Sequence, residues 1–398
     1  MPYLLDYVEN ELAPIDERPF GPVDAAVLTQ ASMFDGAGIV PEPSGAPALL
    51  DRMRCALAPD RVGVRFEDLL CAERFDRMFT GLVADDLKRL LYVLAASPRF
   101  RGVRLCGYRS VFDEASHTQF AATSFRWGSG LSFIGFRGTD ASVTGWRENF
   151  DMTYRPEVRA QSLARDYLEL MAPRLPGELH VGGHSKGGNL ALYAALTCTD
   201  RVRTRIGRIW CLDAPGFKPG RFGEADYACI QGRLFRAGPQ DSIVGALLEC
   251  PVGARTVRSS AEGLFQHSVF SWEVADAAAG GEGPSPAPSG RAAADFVYLD
   301  GPSEFSRVLH EVLLEWLAGM DDARRERVVD ALFAAFAAAG ARDAGDVLLG
   351  GVNPIQLAID AARNLDDASA SVLREALSEL ASIVTRRAGE DIARALFG

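Results

Sequence analysis

Leu179-His180-Val181-Gly182-Gly183-His184-Ser185-Lys186-Gly187-Gly188-Asn189-Leu190-Ala191-Leu192-Tyr193 passes from a short apolar segment, through a serine flanked by glycines, into a good helix former. The core Gly183-His184-Ser185-Lys186-Gly187 fits G-x-S-x-G. In that pattern the serine sits on a strained strand-to-helix turn, and the small residues around it let two backbones approach closely. A G-x-S-x-G alone also fits an ordinary glycine-rich turn; the strand before it and the helix after it make a nucleophile elbow the stronger reading. The first N–H groups of that helix point to where negative charge would develop on a reacting carbonyl oxygen. A phosphate-binding loop fails on order, because that motif ends G-K-[ST] and here the serine precedes the lysine.

Outward from the elbow, strand and helix patterns alternate. Residues 119–127 and 131–136 read as a β-hairpin joined by Gly128-Ser129-Gly130, and a helix is expected over about 157–175. After the elbow helix, 208–212, 232–237 and 254–258 are strand-like. This alternation predicts an α/β protein with a mostly parallel sheet. Residues 1–100 read as a helical lead-in, 101–276 as the α/β core, and 277–293, rich in Ala, Gly, Pro and Ser, as a linker or surface loop. Residues 294–398 read as a C-terminal helical region whose apolar positions recur at helix spacing: Phe305, Val308, Leu309, Val312, Leu313 and Trp316, then Val328, Val329, Leu332 and Phe333. There is no internal repeat.

A serine hydroxyl needs a histidine as base and a carboxylate to hold that histidine's tautomer. In chain order Ser, acid, His, only His267 and His310 lie downstream of Ser185. His310 falls on an amphipathic helix among Leu309, Leu313 and Leu314, where a structural histidine is expected. His267 follows a strand in a loop, Leu264-Phe265-Gln266-His267-Ser268, and is the predicted base. Two acids each follow a strand: Asp213, in Asp213-Ala214-Pro215-Gly216-Phe217, and Asp241, in Gly238-Pro239-Gln240-Asp241. Asp241 is the predicted acid, because its strand is the last before the strand that leads to the histidine; Asp213 is the alternative, otherwise a turn former. The oxyanion donors predicted are the N–H of Lys186 and Thr139, in the strand-end loop Phe136-Arg137-Gly138-Thr139-Asp140.

Composition bounds the rest. The chain has 398 residues and a formal charge of -11, which argues against nucleic acid as a partner and against tight docking on anionic lipid. Seven scattered cysteines without C-x-x-C read as reduced thiols in a cytoplasmic protein. The five histidines show no metal-ligand spacing. No metal or cofactor is expected, and neither a signal sequence nor a membrane-spanning run is read.

Phe136-Arg137-Gly138-Thr139-Asp140 with Trp146, and Gly182-Gly183-His184-Ser185-Lys186-Gly187-Gly188-Asn189, together resemble the class-3, fungal triacylglycerol lipase-like branch of the α/β-hydrolases. The chain is similar in particular to an uncharacterised bacterial lipase-like subfamily, through the Asp213 to Phe217 turn, Gln266-His267 ahead of Trp272, and Pro19-Phe20-Gly21-Pro22-Val23-Asp24. The resemblance implies an α/β-hydrolase fold, esterase or lipase activity on acyl-ester or lipid substrates, Thr139 as oxyanion donor, Ser185 as nucleophile, Asp241 as acid and His267 as base. It places residues 141–158, with Trp146, Phe150, Met152 and Tyr154, where such lipases carry a lid. A lysine after the serine departs from true lipases, which prefer an apolar residue there. Lys186 is expected on the surface of the elbow helix, or turned inward to favour an anionic substrate.

Overall fold

The computed structural model describes residues 2–79, 81, 83–128, 130–275, 291–338 and 365–397, with side chains up to 387. Its helices of seven residues or more are α1 (Leu4–Asn10), α2 (Pro22–Ala31), α3 (Ala48–Leu57), α4 (Ala84–Ala96), α5 (Val143–Asp151), α6 (Arg159–Met171), α7 (Lys186–Thr197), α8 (Glu304–Ala318), α9 (Asp322–Ala338) and α10 (Asp367–Phe397). The strands are β1 (Arg104–Asp113), β2 (Thr118–Trp127), β3 (Leu131–Phe136), β4 (Glu178–His184), β5 (Ile206–Leu212), β6 (Leu234–Pro239), β7 (Arg255–Val257) and β8 (Tyr298–Leu299).

They form one sheet in the order β1-β2-β3-β4-β5-β6-β7-β8. β3 to β7 run parallel, and β1, β2 and β8 are antiparallel to their neighbours. Parallel strands need both faces covered, and here both are. Neighbouring residues of one strand enter opposite cores: Phe133 and Trp210 pack with α1, α2 and α4, while Ile134 and Ile209 pack with α6 and α7. The hairpin, the helix before the elbow and the three later strands fall where the sequence patterns put them.

β1 is a strand that those patterns do not reveal. Its run Arg-Leu-Cys-Gly-Tyr-Arg-Ser-Val-Phe-Asp lacks clean alternation, because the register shifts between Cys106 and Arg109. Gly107 sits at φ 67 in that irregularity, and a Cβ there would fall 2.5 Å from the Met171 Cε.

The expected linker lies outside the described residues as far as residue 290. Where the chain is described again, Ala293 and Ala294 are buried against Gly21, at the start of α2. The C-terminal helices α8, α9 and α10 pack on one another and on the segment around α5, in a cluster joining Met152, Val158 and Leu248 to Leu317, Met320 and Val328. Among the described residues no helix is long and apolar enough to cross a membrane.

The N-terminal helices are locked by a fully buried ion pair. Arg99 grips Asp24 bidentately, Nε to Oδ1 and Nη2 to Oδ2 at 2.7 Å each. Asp24 also accepts from the Tyr7 hydroxyl at 2.8 Å and from the Gly21 N–H at 3.0 Å, so one carboxylate joins α1, the start of α2 and the turn after α4. Removing one partner of such a pair strands the other charge in the core. Asp24→Asn is therefore expected to cost about 3–5 kcal/mol of folding stability. Denaturant unfolding should show this as a lower midpoint at unchanged slope, and a midpoint equal to wild type would show that the pair is dispensable.

Candidate active site

Ser185 follows the last residue of β4 and precedes the first of α7, with φ 59 and ψ -132. A serine pays for that conformation with about 1–3 kcal/mol of backbone strain. The surroundings hold it there: its N–H donates to the Leu212 carbonyl at 2.9 Å, and its own carbonyl accepts from the Gly188 N–H at 3.0 Å. A Cβ on Gly183 would lie 2.1 Å from the Gly187 carbonyl carbon, and one on Gly187 would lie 2.2 Å from the Phe136 carbonyl oxygen. Only glycines let β4 and α7 turn so tightly beneath the serine.

The parallel strands bring their carboxyl-end loops together here. His267 closes a short turn, Gly263–His267, and its ring lies beside His184, with centroids 4.4 Å apart. The His267 Nδ1 bonds the Oδ2 of Asp213 at 2.6 Å. Asp213 follows β5 at φ 37 and is buried. Its Oδ1 accepts from the Ser242 hydroxyl and from the Gly245 N–H, the latter at 3.2 Å. A carboxylate held this way fixes the histidine tautomer with the proton on Nδ1, leaving Nε2 free to accept one.

The expected partnership of His267 with Asp241 is not formed. Asp241 binds Gln266 instead: its Oδ2 accepts from Nε2 at 2.5 Å, and its N–H donates to Oε1 at 3.1 Å. Sheet order explains this. β5 is the immediate neighbour of β4, whereas β6 lies one strand further from the elbow, so a loop returning toward Ser185 meets the residue after β5 first. His310 donates through Nδ1 to the Ala246 carbonyl at 2.6 Å, a structural bond.

On the other side of Ser185, the loop after β3 lies against the elbow. A Cβ on Gly138 would fall 3.0 Å from the His184 carbonyl oxygen and 3.6 Å from the Ser185 Cβ. The next residue, Thr139, accepts through Oγ1 from the Asn149 Nδ2 at 2.8 Å, which leaves the threonine proton free to donate. Lys186 is neither on the surface nor turned toward a substrate. It is buried, and its Nζ donates to the Gln119 carbonyl at 2.7 Å and to the Glu148 Oε2 at 2.9 Å. The segment expected as a lid carries α5. There Trp146 is half-buried, and the Phe150 ring meets Phe333 of α9 edge-on at 5.5 Å.

His184, Asn149 and Glu148 are site residues that sequence reading misses. His184 occupies the variable position of the motif, and its Nε2–H donates to the His267 carbonyl at 2.8 Å. Burial, reinforced by the neighbouring His267, pushes its pKa down to about 3, so it stays a neutral donor.

A mostly parallel sheet with a strained serine between β4 and α7, followed in chain order by an acid after β5 and a histidine after β7 that meet each other, defines an α/β-hydrolase fold. A family model described as Mbeg1-like matches residues 94–282. No curated protein sequence matches significantly. Among solved structures the chain is similar to a fungal lipase–inhibitor complex that serves as a model for interfacial activation in lipases, at 14% identity and TM-score 0.32, over 60% of this chain and 78% of that one. It is also similar to M37 lipase, at 16% identity and TM-score 0.30, over 45% and 69% of the two chains. The native propeptide complex of Rhizomucor miehei lipase aligns at 16% identity and TM-score 0.29, over 55% and 81%. At these scores the likeness carries no argument of its own; the fold is defined by the sheet, the elbow and the residues around it.

The depressed His184 pKa has a consequence for stability. As pH falls through the ordinary value of 6.5 the unfolded chain protonates this histidine, while the folded protein holds it neutral down to about 3. The unfolded state then binds the extra proton, so the contribution is complete above pH 6.5 and is lost progressively on acidification toward 3. His184→Gln keeps a donor toward His267 and removes the titration. Its thermal midpoint is expected to fall less than that of wild type across this acid range, as scanning calorimetry at a series of pH values would show; parallel curves would count against the assignment.

Proposed function

We propose that the protein is a serine hydrolase that cleaves carboxylic esters through an acyl-enzyme on Ser185, with His267 as general base and Asp213 as the acid that orients it. The observation that carries this reading is the 2.6 Å bond from the His267 ring to a buried Asp213, with that ring packed on His184, the residue that precedes a serine held at positive φ. In the first half-reaction His267 Nε2 takes the Ser185 proton as Oγ attacks the ester carbonyl, and the oxyanion is met by the Lys186 N–H and by Thr139. The imidazolium then gives its proton to the departing alcohol. Water, deprotonated by the same histidine, attacks the acyl-enzyme and regenerates Ser185.

Acyl esters with an apolar chain are the favoured substrate class. Leu264 and Phe265, on the turn that ends in His267, are 44% and 64% exposed, which puts apolar surface next to the base. Membership of the matched model in a lipase-like family supports the same class.

A fluorophosphonate probe is expected to label wild type and not Ser185→Ala. On p-nitrophenyl esters of increasing chain length, Asp213→Asn should lower kcat by about 10⁴-fold, the loss that the same substitution causes in a Ser-His-Asp protease. Asp241→Asn should stay within about tenfold of wild type, well short of a triad loss. Labelling that survives Ser185→Ala would rule out this nucleophile, and a folded, unlabelled wild type would turn the reading toward a ligand-binding α/β-hydrolase fold.

A further inference from the structure

α5 presents four consecutive residues to two different neighbours. Arg147 and Phe150 face away from the serine toward α9: Arg147 Nη2 meets the Asp330 carboxylate at 2.5 Å and its guanidinium covers the Phe333 ring at 5.3 Å, while Phe150 packs on the same ring. Glu148 and Asn149 face the elbow side, where Glu148 bonds Lys186 and Asn149 bonds Thr139.

The Glu148 carboxylate is fully committed. Its Oε2 accepts from the Lys186 ammonium at 2.9 Å and from the Gln119 N–H at 3.1 Å, and its Oε1 accepts from the Ala160 N–H, in the first turn of α6, at 2.9 Å. Both side chains of the pair are out of solvent. A buried, fully bonded ion pair of this kind has one low-energy geometry and resists displacement, which makes it better suited to fixing a position than to adding stability. The residue it fixes is the first of α7. Its main-chain N–H has no intrahelical acceptor and adjoins the nucleophile.

We propose that Lys186 and Glu148 are positioning residues. Their ion pair makes α5 a strut that holds the first turn of α7, and with it the Lys186 N–H, in register with the Ser185 Oγ. The proposal rests on the hydrolase reading for its chemistry, but the mechanical coupling can be read without it.

Lys186→Met alone leaves Glu148 as an unpaired buried carboxylate and is liable to misfold, so the informative protein is the full chain carrying Lys186→Met with Glu148→Gln, which removes both charges. Two readouts are taken. Hydrogen exchange of peptides covering 185–189 and 143–151 should quicken together by at least tenfold. The second-order rate of fluorophosphonate labelling and kcat for p-nitrophenyl butyrate should fall by at least thirtyfold, with KM within threefold of wild type. Wild-type exchange in the 185–189 peptide would overturn the coupling, and wild-type kcat despite faster exchange would overturn the positioning role. A wild-type protein that shows no Ser185-dependent labelling would overturn the hydrolase reading instead, and exchange alone would then decide whether the strut exists.

Discussion

Everything at the site depends on Ser185 being held at φ 59. Outside a packed interior a serine would relax out of that region, so the conformation persists only where its surroundings over-determine it. Here β4 lies between β3 and β5, α7 packs across β4 and β5, and the glycines bring the helix start almost onto the strand. The bond from the serine N–H to Leu212 ties the turn to the strand whose next residue is Asp213. One constraint thus sets two things: the helix starts at the residue after the serine, and Asp213 lies one strand away.

That same geometry explains which parts of the fold are legible in the sequence. The elbow, the β2-β3 hairpin and α6 announce themselves through local patterns: glycines at fixed offsets, buried runs of nine and six residues, and apolar recurrence at helix spacing. β1 does not, because its irregularity at Gly107 breaks the alternation. The choice between Asp213 and Asp241 is not local either. Both follow strands, and only the order of strands across the sheet, a property of the whole chain, decides which carboxylate meets His267.

The contacts of Lys186 and His184 are not legible in the sequence for a related reason. Each makes its decisive contact with a residue far along the chain, Lys186 with Glu148 and His184 with the carbonyl of His267. Nothing in the nearby sequence marks a lysine for burial. Hydropathy places such a residue at the surface, because a buried ammonium is costly unless a counter-charge and hydrogen bonds meet it. Glu148 and the Gln119 carbonyl supply both, but they come from α5 and β2.

The C-terminal helices touch the site's surroundings on both sides. α8 holds the loop after β6: the Ser303 N–H donates to the Gln240 carbonyl at 2.9 Å, the Ser306 hydroxyl to the Ser242 carbonyl at 2.7 Å, and His310 to Ala246. That loop supplies Ser242 and Gly245, whose donors hold the Asp213 carboxylate. α9 holds α5, which bears on the elbow through Glu148 and on Thr139 through Asn149. Between α8 and the strand ends lies a cavity of about 240 Å³ that reaches Asp213 and His310, so the packing there is incomplete even as the hydrogen bonds across it are made. The Asp213 side and the Thr139 side of Ser185 are therefore braced by successive helices of one region. A shift of that region as a unit would disturb both at once, whereas a shift of α5 alone would have to break a buried ion pair.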